Sequence, residues 1–341
     1  SSLDFGWRFA LGHASDPAKD FDFGGNQRSY AKAGADAPNW WVAAAAQKTF
    51  DDSAWKPVTL PHDWAIELPF VDNPEYKPSG KPDDEDVLAA HGYKALGRRF
   101  PENSVGWYRK TFALPAGDAG KRLSIEFDGA FRDALVMVNG YILEREDSGY
   151  SPFRVDITDI ANIGGDNLIT VRVDASLGEG WFYEGAGLYR HVWLVKTAPV
   201  HVPQWGVFVR AKVDGTVQID TDLVNESDAA QAFEVSHAVL DAAGKPVLAV
   251  APAAGRLPAW ERQNLSQTVT LANPVLWSLE NPHLYTLVTE TKVGGAVVDR
   301  FVTRFGVRSI RFDPANGFFL NDKPVKLKGS CNHQDHAGFG A

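Results

Sequence analysis

A chain of 341 residues with 44% hydrophobic and 23% charged residues is globular and long enough for two or three domains. Its 34 Lys and Arg stand against 43 Asp and Glu for a net charge of -9. No basic stripe is available to neutralise phosphates, so nucleic acid is not an expected partner. No apolar run has the length of a membrane span, which removes a membrane from the expected partners, and the single Cys331 excludes intrachain disulfides and cysteine-based zinc clusters.

The first hundred residues are rich in Gly, Pro and Asp and read mostly as loop, for example DNPEYKPSGKPDDEDV at 72–87. The start SSLDFGWRF carries no signal-peptide pattern. Long ordered loops are more often functional than decorative. Within this region LPHDW places His62, Asp63 and Trp64 after Pro61, a pattern that suits a structural corner better than a ligand contact.

From about residue 105 short period-two runs alternate with turn residues, the mark of an all-β sandwich or barrel. VGWYRKTFALP, KRLSIEFDGA, ALVMVNGYILE, NLITVRVDAS and HVWLVKT read as strands, with Asn139-Gly140 supplying a tight hairpin and Trp107 and Tyr108 alternating into core. TAPVHVPQ (197–204) reads as a linker. Beyond it, TVQIDTDLVNES, AFEVSHAVLDAAGKPVLAV, NLSQTVTLANP and HLYTLVTETKVGGAVVDRFVTRFG give about seven short strands, an immunoglobulin-like sandwich without its disulfide. Turns are expected at Ala243-Gly244 and Gly294-Gly295. NGFFLNDKPVKLKGSCNHQDH then reads as a hairpin around Asn321-Asp322 followed by a strand, too little to bury a core.

Candidate chemistry concentrates in KGSCNHQDHAG (328–338). His333 and His336 are three apart, whereas paired metal motifs rest on helical i, i+4 spacing, so a transition-metal site is disfavoured. A polar loop is one alternative. The other is a sugar contact, because imidazole and carboxylate together offer the donors and acceptors that hydroxyls need. Trp181, Phe182 and Tyr183 suit either a stacking platform or a wedge between domains. Cys331, on the expected strand, reads as a buried structural thiol.

LPHDWAIE (60–67), NSVGWYRKTF (103–112), the VNG hairpin with GYSPFRVDIT (149–158), NLITVRVD (167–174), WFYEGAGLYRHVWL (181–194), LWSLENPHLYTL (276–287), FGVRSIRFD (305–313) and FFLNDKPVKLKGSCNHQDHAG (318–338) occur in one order. That order resembles glycoside hydrolase family 2, and its β-galactosidases most closely. The resemblance implies a jelly-roll, galactose-binding-like domain over 1–198 and an immunoglobulin-like sandwich over 199–311. It further implies the start of a (β/α)8 catalytic barrel over 312–341, truncated after its first strand. The family's catalytic pair are glutamates on later barrel strands, and no Glu follows Glu290, so no catalytic residue is assigned and the chain alone is expected to be inactive. By the same resemblance Asn103, Asp174, His333, Asp335 and His336 would contact substrate, with His333, Asp335 and His336 at the C-terminal end of barrel strand one.

The expected partners are a β-galactoside-type carbohydrate and the missing barrel, with homo-oligomerisation left open. No cofactor is expected, although a magnesium or sodium ion in the full enzyme is compatible with the resemblance, and a periplasmic or secreted location is favoured over a cytoplasmic one. The alternatives are a stand-alone carbohydrate-binding module or a family-2 β-glucuronidase or β-mannosidase. A module has no use for a strand ending in NHQDHAG.

Overall fold

The period-two runs become strands because alternation gives each strand one face for a core and one for solvent. The computed structural model describes residues 1–14, 16–23, 43–68, 70–71, 100–101, 104–176 and 185–331. Among these, helix is confined to short 3-10 turns, and no helix is long and apolar enough to cross a membrane. The chain divides into two units, one of Ser1–Ala119 with Leu123–Lys196, the other of Thr197–Cys331 with Gly120–Arg122.

In the first unit β1 (Trp7–Leu11), β2 (Lys56–Val58), β3 (Phe70–Val71), β4 (Phe100–Pro101), β5 (Val105–Ala113), β6 (Arg122–Phe127), β7 (Ala134–Val138), β8 (Tyr141–Glu146), β9 (Phe153–Asp156), β10 (Asp166–Asp174) and β11 (Val192–Thr197) follow in order. A six-stranded sheet, β2-β1-β5-β10-β7-β8, faces a three-stranded sheet, β11-β6-β9, while β3 and β4 pair apart. Tyr108, Val136, Ile169 and Val171 from the larger sheet meet Leu123, Ile125, Phe127 and Val192 from the smaller in the main core. Each such aliphatic side chain contributes about 1.5–3 kcal/mol by leaving water. Asn139 and Gly140 both take positive φ in the β7–β8 turn, as the hairpin reading requires. The chain's first residues run beside β11: Leu3 N–H donates to Val192 O at 2.8 Å and Leu194 N–H to Ser1 O at 2.8 Å.

The outer face of the six-stranded sheet is covered by segments that the sequence reads as loop. Trp107, on the opposite face of β5 from Tyr108, packs there with Ala45, Trp55, Leu135 and Met137. Arg109 of β5 reaches from the same face to the 45–52 segment, donating from Nε to Asp52 Oδ2 at 2.8 Å and from Nη1 to the carbonyls of Ala45 and Gln47.

The second unit begins with β12 (Val200–His201), inside the expected linker. Pro199 and Pro203 flank those two residues without occupying them, so Val200 and His201 remain able to pair with Asn225 and Val224. β13 (Val207–Ala211), β14 (Thr216–Asn225), β15 (Gln231–Leu240), β16 (Pro246–Leu257), β17 (Glu261–Thr270), β18 (Tyr285–Val293) and β19 (Ala296–Phe305) complete the sandwich. One sheet joins β12, β14, β13 and β17, the other runs β16-β15-β18-β19, and Val217, Ile219, Leu223, Val235, Val239 and Leu287 form their shared core.

β20 (Ile310–Asp313), β21 (Gly317–Leu320) and β22 (Lys323–Pro324) form a small meander, with Asn321 and Asp322 both at positive φ in the expected turn. The strand expected over 325–330 does not form. Val325 N–H still donates to Phe318 O at 2.9 Å, but residues 326–331 are exposed and lie outside any strand. Cys331 is accordingly exposed rather than buried.

His237 faces the second core from the middle of β15, its Nδ1 hydrogen-bonded with Thr289 Oγ1 of β18 at 2.9 Å. Burial pulls its pKa from 6.5 down to about 4. The unfolded chain therefore takes up a proton before the native one does, so stability is full above pH 6.5, is lost as pH falls towards about 4, and levels off below. The loss is up to about 3 kcal/mol. Urea midpoints at pH 7 and pH 4.5 should diverge less in His237→Gln than in the wild type, and equal divergence in both would remove His237 as the cause.

Candidate functional site: the Asp174 rim

β10 ends on Asp174, and its alternation places Ile169, Val171 and Val173 in the main core while Thr170, Arg172 and Asp174 share the outer face. Pairing brings three chain segments to this rim. Asp174 stands opposite Val105, its N–H donates to Arg132 O at 2.9 Å, and the next residue, Ala175, donates to Ser104 O at 3.0 Å. The Asp174 carboxylate is 18% exposed. Its Oδ1 accepts from the Ser176 N–H at 3.0 Å and the Ser176 hydroxyl at 2.5 Å, and its Oδ2 accepts from Arg172 Nη1 at 3.1 Å.

Behind Asp174 the polar chain continues inward. Arg172 Nε donates to Asp20 Oδ2 at 2.9 Å, and Asp20 Oδ1 accepts from Trp107 Nε1 at 2.6 Å and from the His13 N–H at 3.1 Å. The Arg172 guanidinium lies 4.5 Å from the centre of the Phe23 ring, a cation–π contact that also shields it from water. Asp20 is delivered by a short 3-10 turn, Pro17–Lys19, whose N-cap Asp16 accepts from the Ala18 N–H.

The second motif near this rim is the LPHDW corner, and its structural reading holds. His62 Nδ1 is 2.8 Å from the Tyr108 hydroxyl, and the His62 and Trp64 N–H groups donate to the carbonyls of Leu188 and Ala186. Asp63 Oδ1 accepts from the N–H groups of Ala65 and Ala186, both at 2.9 Å. Burial holds the His62 pKa below its ordinary value, against the pull of Glu67, and pushes the Tyr108 phenol well above its own. A neutral imidazole locked to a neutral phenol is an anchor. With Ser176 fixed on Asp174 and Ala186 on Asp63, the described residues on both sides of 177–184 are tied to the sheet.

Of the sequence-predicted site residues, Asp174 alone falls among the described residues. Asn103, His333, Asp335 and His336 lie outside them, as do Trp181, Phe182 and Tyr183. Asp20 and Arg172, which stand behind Asp174, escaped the sequence reading, and Trp107 was read only as core. Its only signal was Arg172 two residues before Asp174 on one strand face. Among the described residues no group of three or more His, Cys, Asp or Glu could hold a metal ion.

Residues 1–198 match the family described as glycosyl hydrolases family 2, sugar binding domain, and residues 200–308 match glycosyl hydrolases family 2. A β-galactosidase of Bacteroides ovatus is 38% identical over 302 residues, covering 87% of this chain and 33% of that protein. The crystal structure of a glycosyl hydrolase family 2 member from Bacteroides cellulosilyticus superposes with a TM-score of 0.77 at 30% identity, covering 98% of this chain and 38% of its own. A β-glucuronidase of Bacteroides uniformis follows at a TM-score of 0.74 and 25% identity, covering 100% and 36%. The chain thus spans about a third of the length of the curated relative it matches at 38% identity. With both matched domains together accounting for most of its residues, the chain belongs to glycosyl hydrolase family 2.

Proposed function

We propose that this chain supplies the N-terminal, substrate-positioning domains of a retaining exo-glycosidase that hydrolyses terminal β-galactosides. The observation that carries the reading is the 38% identity, over 87% of the chain, to a β-galactosidase. A putative β-glucuronidase of Formosa agariphila stands at 31% over 86% of the chain. A carboxylate such as Asp174 accepts hydrogen bonds from sugar hydroxyls. A β-glucuronidase is the second reading, because relatives of that activity cover as much of the chain.

Retention requires two carboxyl groups about 5 Å apart. Those groups belong to the barrel in this reading, and Asn103, Asp174, His333, Asp335 and His336 hold sugar hydroxyls around it. The test is a side-by-side assay of the 341-residue chain and of a longer protein carrying it with a barrel, on aryl β-galactoside, β-glucuronide and β-mannoside. Turnover is expected from the longer protein alone and fastest on the galactoside. In that protein Asp335→Ala and His336→Ala should each lower kcat/KM by about 1–3 kcal/mol of transition-state stabilisation. Preference for the glucuronide, or turnover by the short chain, would overturn the proposal.

A further inference from the structure

Arg172 is 9% exposed and Asp20 is 2% exposed, so neither can reach a ligand directly. An ion pair held this deep costs several kcal/mol of desolvation per ion. Arg109 ties the 45–52 segment to the same face in a similar way, through an ion pair with Asp52 and through backbone carbonyls. What distinguishes Arg172 is its second edge. Its Nε side is closed by Asp20, its flat face is covered by Phe23, and its Nη1 is left pointing along the strand to Asp174 at the rim.

Each link is fixed by the one behind it. Trp107 Nε1 and the His13 N–H hold one oxygen of Asp20, the other oxygen holds Arg172 Nε, and Arg172 Nη1 holds Asp174 Oδ2. Ser176 takes the remaining oxygen of Asp174 with two donors. Among the described residues Oδ2 accepts from Arg172 alone, and a carboxylate oxygen has a second lone pair to offer a donor hydroxyl.

We propose that Asp20 and Arg172 are positioning residues that aim the Asp174 carboxylate at a hydroxyl of a neutral sugar. The inference rests on the reading of Asp174 as a sugar contact given under the proposed function. Precise aim matters because a hydrogen bond weakens steeply once its angle closes, so a carboxylate free to rotate would hold the sugar less tightly without altering the chemistry at the glycosidic bond.

The test is steady-state kinetics on aryl β-galactoside with the longer protein carrying this chain, using Arg172→Met, Arg172→Lys, Asp174→Asn and the double variant Arg172→Met with Asp174→Asn. Arg172→Met should raise KM by about tenfold with kcat changed less than about threefold, the pattern of lost substrate binding. Asp174→Asn should behave alike, and the double variant should have a KM no worse than Asp174→Asn alone, while losses in melting temperature accumulate. Arg172→Lys, which keeps the charge but not the planar fork, should recover part of the KM. KM losses that add in the double variant, or an unchanged KM in folded Arg172→Met, would overturn the positioning role. If Arg172→Met does not fold, Arg172→Lys decides alone: a raised KM at near wild-type melting supports the role, and an unchanged KM removes it. If Asp174→Asn itself leaves KM unchanged, the reading of Asp174 fails and takes the inference with it, an outcome distinct from failure of Arg172 alone.

Discussion

Replacing Arg109 with methionine is expected to destabilise the first unit by about 3 kcal/mol, near the lower end of what breaking a buried ion pair costs. Arg109 is almost wholly buried on the outer face of β5 and serves several acceptors at once. Its Nε holds Asp52, its Nη1 holds the carbonyls of Ala45 and Gln47, and its plane lies 5.2 Å from the centre of the Phe50 ring. Methionine fills much of the volume but donates nothing. Ala45 O keeps a bond from the Thr170 hydroxyl at 3.3 Å, and Asp52 is 31% exposed and can be rehydrated, which is why the lower end of the range applies. The Gln47 carbonyl loses the Arg109 donor, and the segment that buries Trp55 loses its tie to the sheet. Arg145→Met is the control. Arg145 is 62% exposed beside Asp133 and Asp147, and an exposed pair contributes less than about 1 kcal/mol. Urea titrations of both variants should show a large midpoint shift for Arg109→Met and a small one for Arg145→Met. Equal shifts would mean that the outer-face loops are not held by Arg109.

A larger loss, above about 4 kcal/mol, is expected for Gly187→Ala, because overpacking and backbone strain act at one position. Gly187 has φ of 129° and bridges Phe131 in both directions, donating to Phe131 O at 2.7 Å and accepting from the Phe131 N–H at 2.9 Å. A Cβ there would stand 2.4 Å from the Tyr108 hydroxyl and 2.6 Å from the His62 carbonyl oxygen. Neither neighbour can yield easily, since Tyr108 is fully buried in the main core and the His62 oxygen is backbone. Gly244→Ala separates the two causes. Gly244 also has positive φ, 81°, but nothing lies within 4 Å of the added carbon, so it should cost only the backbone term of about 1–3 kcal/mol. If Gly187→Ala does not accumulate, the double variant with Tyr108→Phe removes the nearest clashing atom and should restore some soluble protein. Comparable stability of Gly187→Ala and Gly244→Ala would show that the corner is not tightly packed.

The strands that carry the two sandwiches were legible because each pairs a period-two run with a turn that tolerates positive φ. Asn139-Gly140, Gly294-Gly295 and Asn321-Asp322 all adopt that conformation. The order of the motifs made the family legible as well, and it was the ground for proposing Asp174. β12 was hidden because two prolines so close together dominate any reading of TAPVHVPQ, and β13 because five residues with Phe208 and Arg210 on the outside show little contrast between faces. The strand expected at 325–330 was read from its own composition, but a strand is completed by its neighbour. The polar chain behind Asp174 was illegible for a related reason: Asp20 and Arg172 are 152 residues apart, and an isolated Asp following a short turn looks like any solvated loop carboxylate.

The pairing of residues 1–3 with 192–194 sets the order in which the first unit can be made. During synthesis residues 1–3 are made with their partners still nearly two hundred residues from being translated, and β1 meets β5 only after the long intervening stretch has emerged. Such distant pairings make for slow closure. The edge beside residues 1–3 must therefore wait unsealed until β11 arrives to close it.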